Sequence, residues 1–302
     1  MQHHTLGKSD LQVSSIGMGC VTFGREIDRD RSFEVMDHAF DRGITLFDTA
    51  EAYAGGASEM VLGKWIIERG VRDRIVLATK VSGALSRERV ISSAEESLRR
   101  LQADRIDLFQ LHNWDEDTPL EETLAALTTL VEQGKVRAIG CSNWSAWHLC
   151  KALLLIQQQD LKPLISTQPP YNLVQREIEA DLLPLCVDQQ IGAISYSPLA
   201  AGFLTGKYRR NQEVPKGTRF DIIPGHQPIY FTDHGYAALE QLEFAATQSG
   251  HSLVQLALAW VMGQTGITSV LIGARNTAQV DQALEAAEID LDLELQTGTK
   301  ER

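Results

Sequence analysis

The 302-residue chain has no run of Lys and Arg, and its 28 basic residues are outnumbered by 40 acidic ones, for a formal net charge of −12. That balance argues against nucleic acid or an anionic membrane surface as a partner. No stretch is long and apolar enough to span a bilayer, and the opening MQHHTLGKSD lacks the apolar region of a signal peptide. Cysteine is scarce. Cys20, Cys141, Cys150 and Cys186 have no metal-ligand spacing, so they read as reduced thiols of a cytoplasmic protein without a metal centre. No GxGxxG follows a first strand, which speaks against a Rossmann-type dinucleotide site. Internal repeats and low-complexity segments are absent too.

What is present is an ordinary globular composition, 43% hydrophobic with Gly 23 and Pro 9, enough for a sizeable core. The length allows two average domains, but an α/β barrel uses about 250 residues as one unit, and the whole of 1–302 is read as one barrel domain. After an N-terminal hairpin around Thr5 to Val13, apolar strand runs alternate with helical periods. The strands are Ser15–Cys20, Thr45–Ala50, Ile75–Lys80, Ile106–His112, Val136–Cys141, Leu164–Gln168, Ile191–Tyr196 and Ser269–Gly273. Between them the pattern predicts helices at about Ser32–Arg42, from a cap at Ser58 to Gly70, and from a cap at Ser86 through Leu101. Further helices are expected from a cap at Thr118 to Gly134, then near Ala146–Gln158, Glu177–Gln189 and Thr277–Glu288. Eight strands with helices between them argue for a (β/α)₈ barrel of the TIM type. One interval, 208–231, carries Pro215, Gly217, Pro224, Gly225 and Pro228 without any period. Following the seventh strand, it is expected to rise from the C-terminal rim as a lid-like loop.

Asp48, Tyr53, Lys80 and His112 each lie at or just beyond the end of a strand, in TLFDTAEAY, IVLATK and IDLFQLH. Parallel strands would bring them to one rim, where barrels of this type carry their chemistry. Singly, the tyrosine reads as a surface residue, Asp48 with Lys80 as a structural ion pair, and the histidine as a rim residue. Gathered together, a carboxylate, a phenol, an ammonium and an imidazole form a proton-transfer set.

These residues carry a resemblance. Asp48-Thr49-Ala50, Tyr53, Ser58-Glu59 and Leu62-Gly63, with Lys80 and His112 after their strands, look like the signature of the aldo-keto reductases. Agreement extends to GKVR…G…SN around Ser142-Asn143, TQPPYN with Gln168, SYSPLAAGFLTGKY, and IGARN, and covers about Leu6 to Ala287. The match is similar above all to the bacterial and potassium-channel-β-like branch, with a short C-terminal tail.

The resemblance implies an oxidoreductase that reduces aldehydes or ketones with NADPH in preference to NADH, Tyr53 being the acid, Lys80 and Asp48 its tuners and His112 the orienting group. The physical reading agrees: charge builds on the carbonyl oxygen, and an ammonium beside a phenol should lower its pKa. By the same resemblance Ser142, Asn143 and Gln168 hold the nicotinamide carboxamide, and Tyr196 stacks on its ring. The loop with Ser197, Leu199, Gly202, Leu204 and Lys207 follows the pyrophosphate, while Gln279 and Gln282 reach the adenosine end. Gly273 and Arg275 open the last helix, a place suited to phosphate. An arginine fork suits a 2′-phosphate, so Arg275 and Arg219 favour NADPH, although either alone could be a surface arginine.

Some positions depart from the family pattern. Gln282-Ala283 stand where an acidic-Asn pair is common, Ala54 where a glycine is frequent after the tyrosine, and Val21 where an aromatic pocket residue is common. Phe23, Trp114 and Trp144 are left as pocket candidates, with core packing as their alternative. Small aldehydes, ketones or sugar-derived carbonyls are the expected substrates. A slow-turnover, redox-sensing NADPH-binding module is the alternative function. A Schiff-base aldolase using Lys80 is a third, disfavoured by the other residues.

Overall fold

The computed structural model describes residues 1–289 and 291. The short tail beyond Glu288 lies outside the described residues except for Ile289 and Leu291. Strands β1 (His3–Thr5) and β2 (Gln12–Ser14) pair antiparallel as the hairpin. They are followed by β3 (Ile16–Gly19), β4 (Leu46–Asp48), β5 (Val76–Val81), β6 (Ile106–Leu111), β7 (Val136–Ser142), β8 (Leu164–Gln168), β9 (Gly192–Ser195) and β10 (Ile267–Ile272). These eight close into an all-parallel barrel in sequence order, β10 pairing with both β9 and β3. Strands β5 and β6 are buried along their whole length, as expected of parallel strands covered by helices outside and by barrel filling inside.

Successive side chains on a strand alternate faces, and this sorts the interior into levels. Leu46, Val76, Ala78 and Leu108 pack with Ala138, Ile165, Ile194 and Leu271 in one apolar cluster. Two residues further along β4, β5 and β6, the same columns end in Asp48, Lys80 and Gln110. The hairpin supplies Leu6, Leu11 and Val13 to this cluster. Its Gly7 has φ +55, and a Cβ there would come within 2.1 Å of the Ile165 carbonyl oxygen, so only glycine lets the plug seat.

Helices α1 (Arg29–Asp41), α2 (Ala57–Arg69), α3 (Arg87–Leu101), α4 (Leu120–Glu132), α5 (Ala146–Gln159) and α6 (Leu182–Gln189) clothe the first seven strands. Local chemistry shifts several starts from the expected places. Asp28 caps α1 by accepting from Arg31 N, three residues before the expected helix. Ser58 is no cap: α2 follows Gly56 in a left-handed conformation, and the buried Ser58 hydroxyl bonds Thr49 Oγ1 at 2.8 Å and the Cys20 carbonyl at 2.7 Å. Pro119 rather than Thr118 occupies the cap position of α4, because Thr118 Oγ1 is engaged by Asp115 at 2.6 Å. Ser86 caps α3 as expected.

The interval 208–231 is more ordered than its composition suggests. It contains the one-turn helices α7 (Arg219–Ile222) and α8 (Gln227–Tyr230). Tyr208, Phe220 and Tyr230 are buried in a second core together with Phe203, Tyr236 and Trp260. Helices α9 (Asp233–Ser249) and α10 (Leu253–Met262), unmarked in the sequence reading, complete that core before β10 and α11 (Thr277–Ala286). Among the described residues no helix is long and apolar enough to cross a membrane.

Candidate active site

Strands β4 and β5 deliver Asp48 and Lys80 to the C-terminal end of the barrel, where neither has appreciable contact with water. Lys80 Nζ donates to Asp48 Oδ2 at 2.5 Å, to the Thr49 carbonyl at 2.9 Å and to Tyr53 Oη at 3.3 Å. Those contacts use the full donor capacity of the ammonium, the condition under which a buried charge is tolerated. Asp48 Oδ1 in turn accepts from Gln110 Nε2 at 3.2 Å and Gln168 Nε2 at 2.9 Å. Gln110 was not singled out from sequence, although it lies two residues before His112 and so shares its face of β6.

Tyr53 opens a short 3₁₀ turn in which Ala54 has φ 51 and ψ 37. The residue that stands in place of a frequent glycine is therefore held in the left-handed region at a cost of about 1–2 kcal/mol. The Tyr53 ring meets His112 edge-on, centroids 5.7 Å apart, and the Lys80 ammonium lies 5.0 Å from its centroid. The expected lowering of the phenol by Lys80 is present but outweighed. Burial raises the Tyr53 pKa more than Lys80 draws it down, so the net movement is upward. Burial also disfavours the charged form of Lys80, but Asp48 and Tyr53 more than offset this and its pKa rises. Burial, reinforced by Lys80, pushes His112 down to about 4, which leaves the imidazole neutral at physiological pH.

On the far side of the mouth, Ser142 Oγ donates to the Gln168 carbonyl at 2.8 Å. Asn143, at φ 59, donates from Nδ2 to the His112 carbonyl at 2.9 Å and accepts from Tyr196 Oη at 2.7 Å. The side chains assigned to a carboxamide are thus already engaged with other groups of the rim, and a ligand would have to take over some of those bonds. Gln168 Oε1 has no partner among the described residues and is open to a donor.

The segment after β9 is unusual in its backbone. Ser197, Ala200, Ala201 and Gly202 have φ of 54, 55 or less, and 91 in the glycine, a clustering of left-handed residues that recurs at ligand clamps. The Lys207 ammonium lies over this turn, 3.3 Å from where a Gly202 Cβ would be. Leu199 is half-buried, while Leu204 is fully buried in the second core and offers the turn only its backbone. Gly273 is exposed with open space where a Cβ would go, and Arg275 follows it. Gln279 Oε1 accepts from Arg275 N at 2.8 Å, which ties it to the start of α11, and Gln282 is half-buried one turn on.

Cations converge here. Burial and then the nearby Arg275 lower Lys207; burial, Arg25 and Arg275 lower Arg219 against the opposing pull of Glu26. Arg219 Nη1 reaches Glu26 Oε1 at 3.2 Å, whereas Lys207 and Arg275 have no carboxylate partner among the described residues. Mutually repelling cations beside a turn of left-handed backbone fit a polyanionic group such as a dinucleotide phosphate.

The pocket candidates separate. Phe23 is fully buried in the main core, packed where it cannot line an opening. Trp144 is 3% exposed and its indole N–H has no partner among the described residues. Trp114 is half-exposed, stacked on His148 at 4.1 Å and edge-on to Trp144 at 4.9 Å. Neither His148 nor the exposed Trp147 beside it was marked by the sequence reading.

The model of the aldo/keto reductase family matches residues 15–295. The chain is 35% identical to the uncharacterized oxidoreductase YrpG of Bacillus subtilis (strain 168), over 98% of this chain and 94% of that one. It is 36% identical to the aldo-keto reductase YhdN of the same organism, over 94% and 88%. It is also 33% identical to a probable voltage-gated potassium channel subunit beta of Arabidopsis thaliana, over 96% and 92%. The chain belongs to the aldo/keto reductase family of oxidoreductases.

Proposed function

We propose that this chain is a carbonyl reductase that uses NADPH to convert small aldehydes or ketones to alcohols, with Tyr53 as the proton donor. The observation that carries this reading is the buried Asp48–Lys80 pair in contact with Tyr53 Oη. A reduced nicotinamide supplies the hydride when bound. Everything else falls to the chain. The raised pKa keeps Tyr53 protonated at neutral pH, so the acid is loaded before the substrate arrives. As the phenol gives its proton to the nascent alkoxide, Lys80 stabilises the phenolate left behind, and Asp48 keeps Lys80 charged and aimed. His112, being neutral, donates to the same oxygen and fixes its position.

Ser142, Asn143, Gln168 and Tyr196 would hold the nicotinamide end, with Ser197, Leu199, Gly202, Leu204 and Lys207 along the pyrophosphate. Arg275, Arg219 and Gly273 would meet the phosphate that distinguishes NADPH, with Gln279 and Gln282 toward the adenosine. The expectation of NADPH over NADH is supported by the uncompensated cations Lys207 and Arg275. The segment 208–231 acts as a lid over this site, since its Arg219 reaches across to Glu26 in the β3–α1 loop.

The test is NADPH oxidation by purified protein against a panel of aldehydes and ketones, with Tyr53→Phe alongside. Removing the hydroxyl should lower turnover by about 10²–10⁴ while NADPH still binds. Tight NADPH binding without turnover on any carbonyl would replace the reductase with a redox-sensing module. Comparable affinity for NADH and NADPH would overturn the cofactor preference.

A further inference from the structure

His112 is held through a neighbour that the proton-transfer set does not include. Its Nδ1 lies 2.8 Å from Ser82 Oγ, just beyond β5, while its Nε2 has no partner among the described residues. Ser82 is fixed by its backbone as well. Its N–H donates to Glu51 Oε1 at 2.7 Å, and its carbonyl accepts from Arg89 Nη2 at 3.2 Å. The Glu51 side chain is 9% exposed; it also pairs with Arg89 and accepts from Ser93 Oγ at 2.6 Å, both on α3. With its backbone N–H and carbonyl both engaged, Ser82 is held with its Oγ against the imidazole.

We propose that Ser82 is a positioning residue: its hydroxyl donates to Nδ1 of His112, leaving the ring proton on Nε2, and Glu51 with Arg89 holds Ser82 for that purpose. In a neutral imidazole one nitrogen donates and the other accepts, and the bond made by one decides the role of the other. Among the described residues Ser82 Oγ has His112 Nδ1 as its single partner, so no other protein group competes for its hydroxyl proton. In the opposite tautomer Nε2 would accept and compete for the Tyr53 proton at the edge-on contact between the rings. The observed arrangement instead leaves Nε2–H free to meet a carbonyl oxygen. This inference rests on the reading of His112 as the residue that orients the substrate.

The experiment is ¹⁵N-histidine NMR of the full chain, with and without NADP⁺, for the native protein, Ser82→Ala, Ser82→Thr and Glu51→Ala. His112 should show a protonated Nε2 and a bare Nδ1 in the native protein and in Ser82→Thr. It should show mixed tautomers in Ser82→Ala and Glu51→Ala. With a carbonyl substrate, kcat of Ser82→Ala should fall about tenfold or more with NADPH affinity unchanged, and Ser82→Thr should restore it. A native His112 carrying its proton on Nδ1, or a Ser82→Ala protein with unaltered tautomer and kcat, overturns the proposal. If Tyr53→Phe and His112→Ala leave turnover unaffected, the reductase reading itself fails, and the tautomer result distinguishes the two failures.

Discussion

Lys80 Nζ stands 2.5 Å from Asp48 Oδ2 with both side chains closed off from water. Removing one partner leaves a buried charge that nothing else neutralises. Lys80→Met should therefore destabilise the fold by about 3–5 kcal/mol, read from urea unfolding. The double variant with Asp48→Asn should lose less than the two single losses added together. Strict additivity would mean that the pair is not coupled.

His112 makes stability depend on pH in a defined direction. Its pKa is pushed down to about 4 in the folded chain by burial and Lys80, whereas an unfolded histidine takes up its proton near ~6.5. The unfolded state thus binds more protons between these values. This contribution to stability is complete above about pH 6.5 and is lost as pH falls, reaching about 3 kcal/mol of loss below pH 4. Unfolding midpoints of the native protein and His112→Gln, measured from pH 7 to 4, should converge as pH falls. Parallel curves would show that the histidine is freely protonated in the folded state.

The cations after β9 and β10 give an electrostatic signature. Arg275→Ala and Lys207→Ala should each weaken NADPH binding about tenfold or more, the scale of a charge-assisted hydrogen bond. Arg275→Ala should leave NADH almost unchanged, because NADH lacks the 2′-phosphate. Calorimetric titration at two salt concentrations checks both statements. Equal losses for the two nucleotides would place Arg275 on the shared pyrophosphate instead.

The barrel and the residues on its rim were legible because strand alternation and titratable strand ends are local signals. Asp48, Lys80 and His112 announce themselves within segments of a few residues. Glu51 and Ser82 lie equally close to those strand ends, but a glutamate and a serine in loops are unremarkable until their partners on α3 and β6 are known. The order of 208–231 was hidden for a different reason. Helices of one turn carry no period, and the anchors Tyr208, Phe220 and Tyr230 are spaced to suit a cluster completed by Phe203 and Tyr236. Phe23 shows the converse: its sequence position left pocket lining and core packing both open, and the structure buries it in the main core.

That aromatic cluster makes Phe220 the residue on which the order of 208–231 depends. Its ring is fully buried, 4.8 Å from Tyr208, 5.0 Å from Phe231 and 5.8 Å from Tyr230. Truncating a buried phenylalanine costs about 3–5 kcal/mol when the whole fold must absorb it. Helix α7 has few other attachments, so Phe220→Ala should open the segment locally at a smaller global cost. Hydrogen exchange should show lost protection at the amides of Asp221, Ile222 and Ile223, whose bonds run to Thr218 and Arg219. The amides of β5 and β6 should keep theirs. Because Arg219 would lose its hold on Glu26, NADPH should leave faster while its rate of entry changes little. Uniform loss of protection across the barrel, with a fall in the urea midpoint to match, would instead make the segment part of the global folding unit.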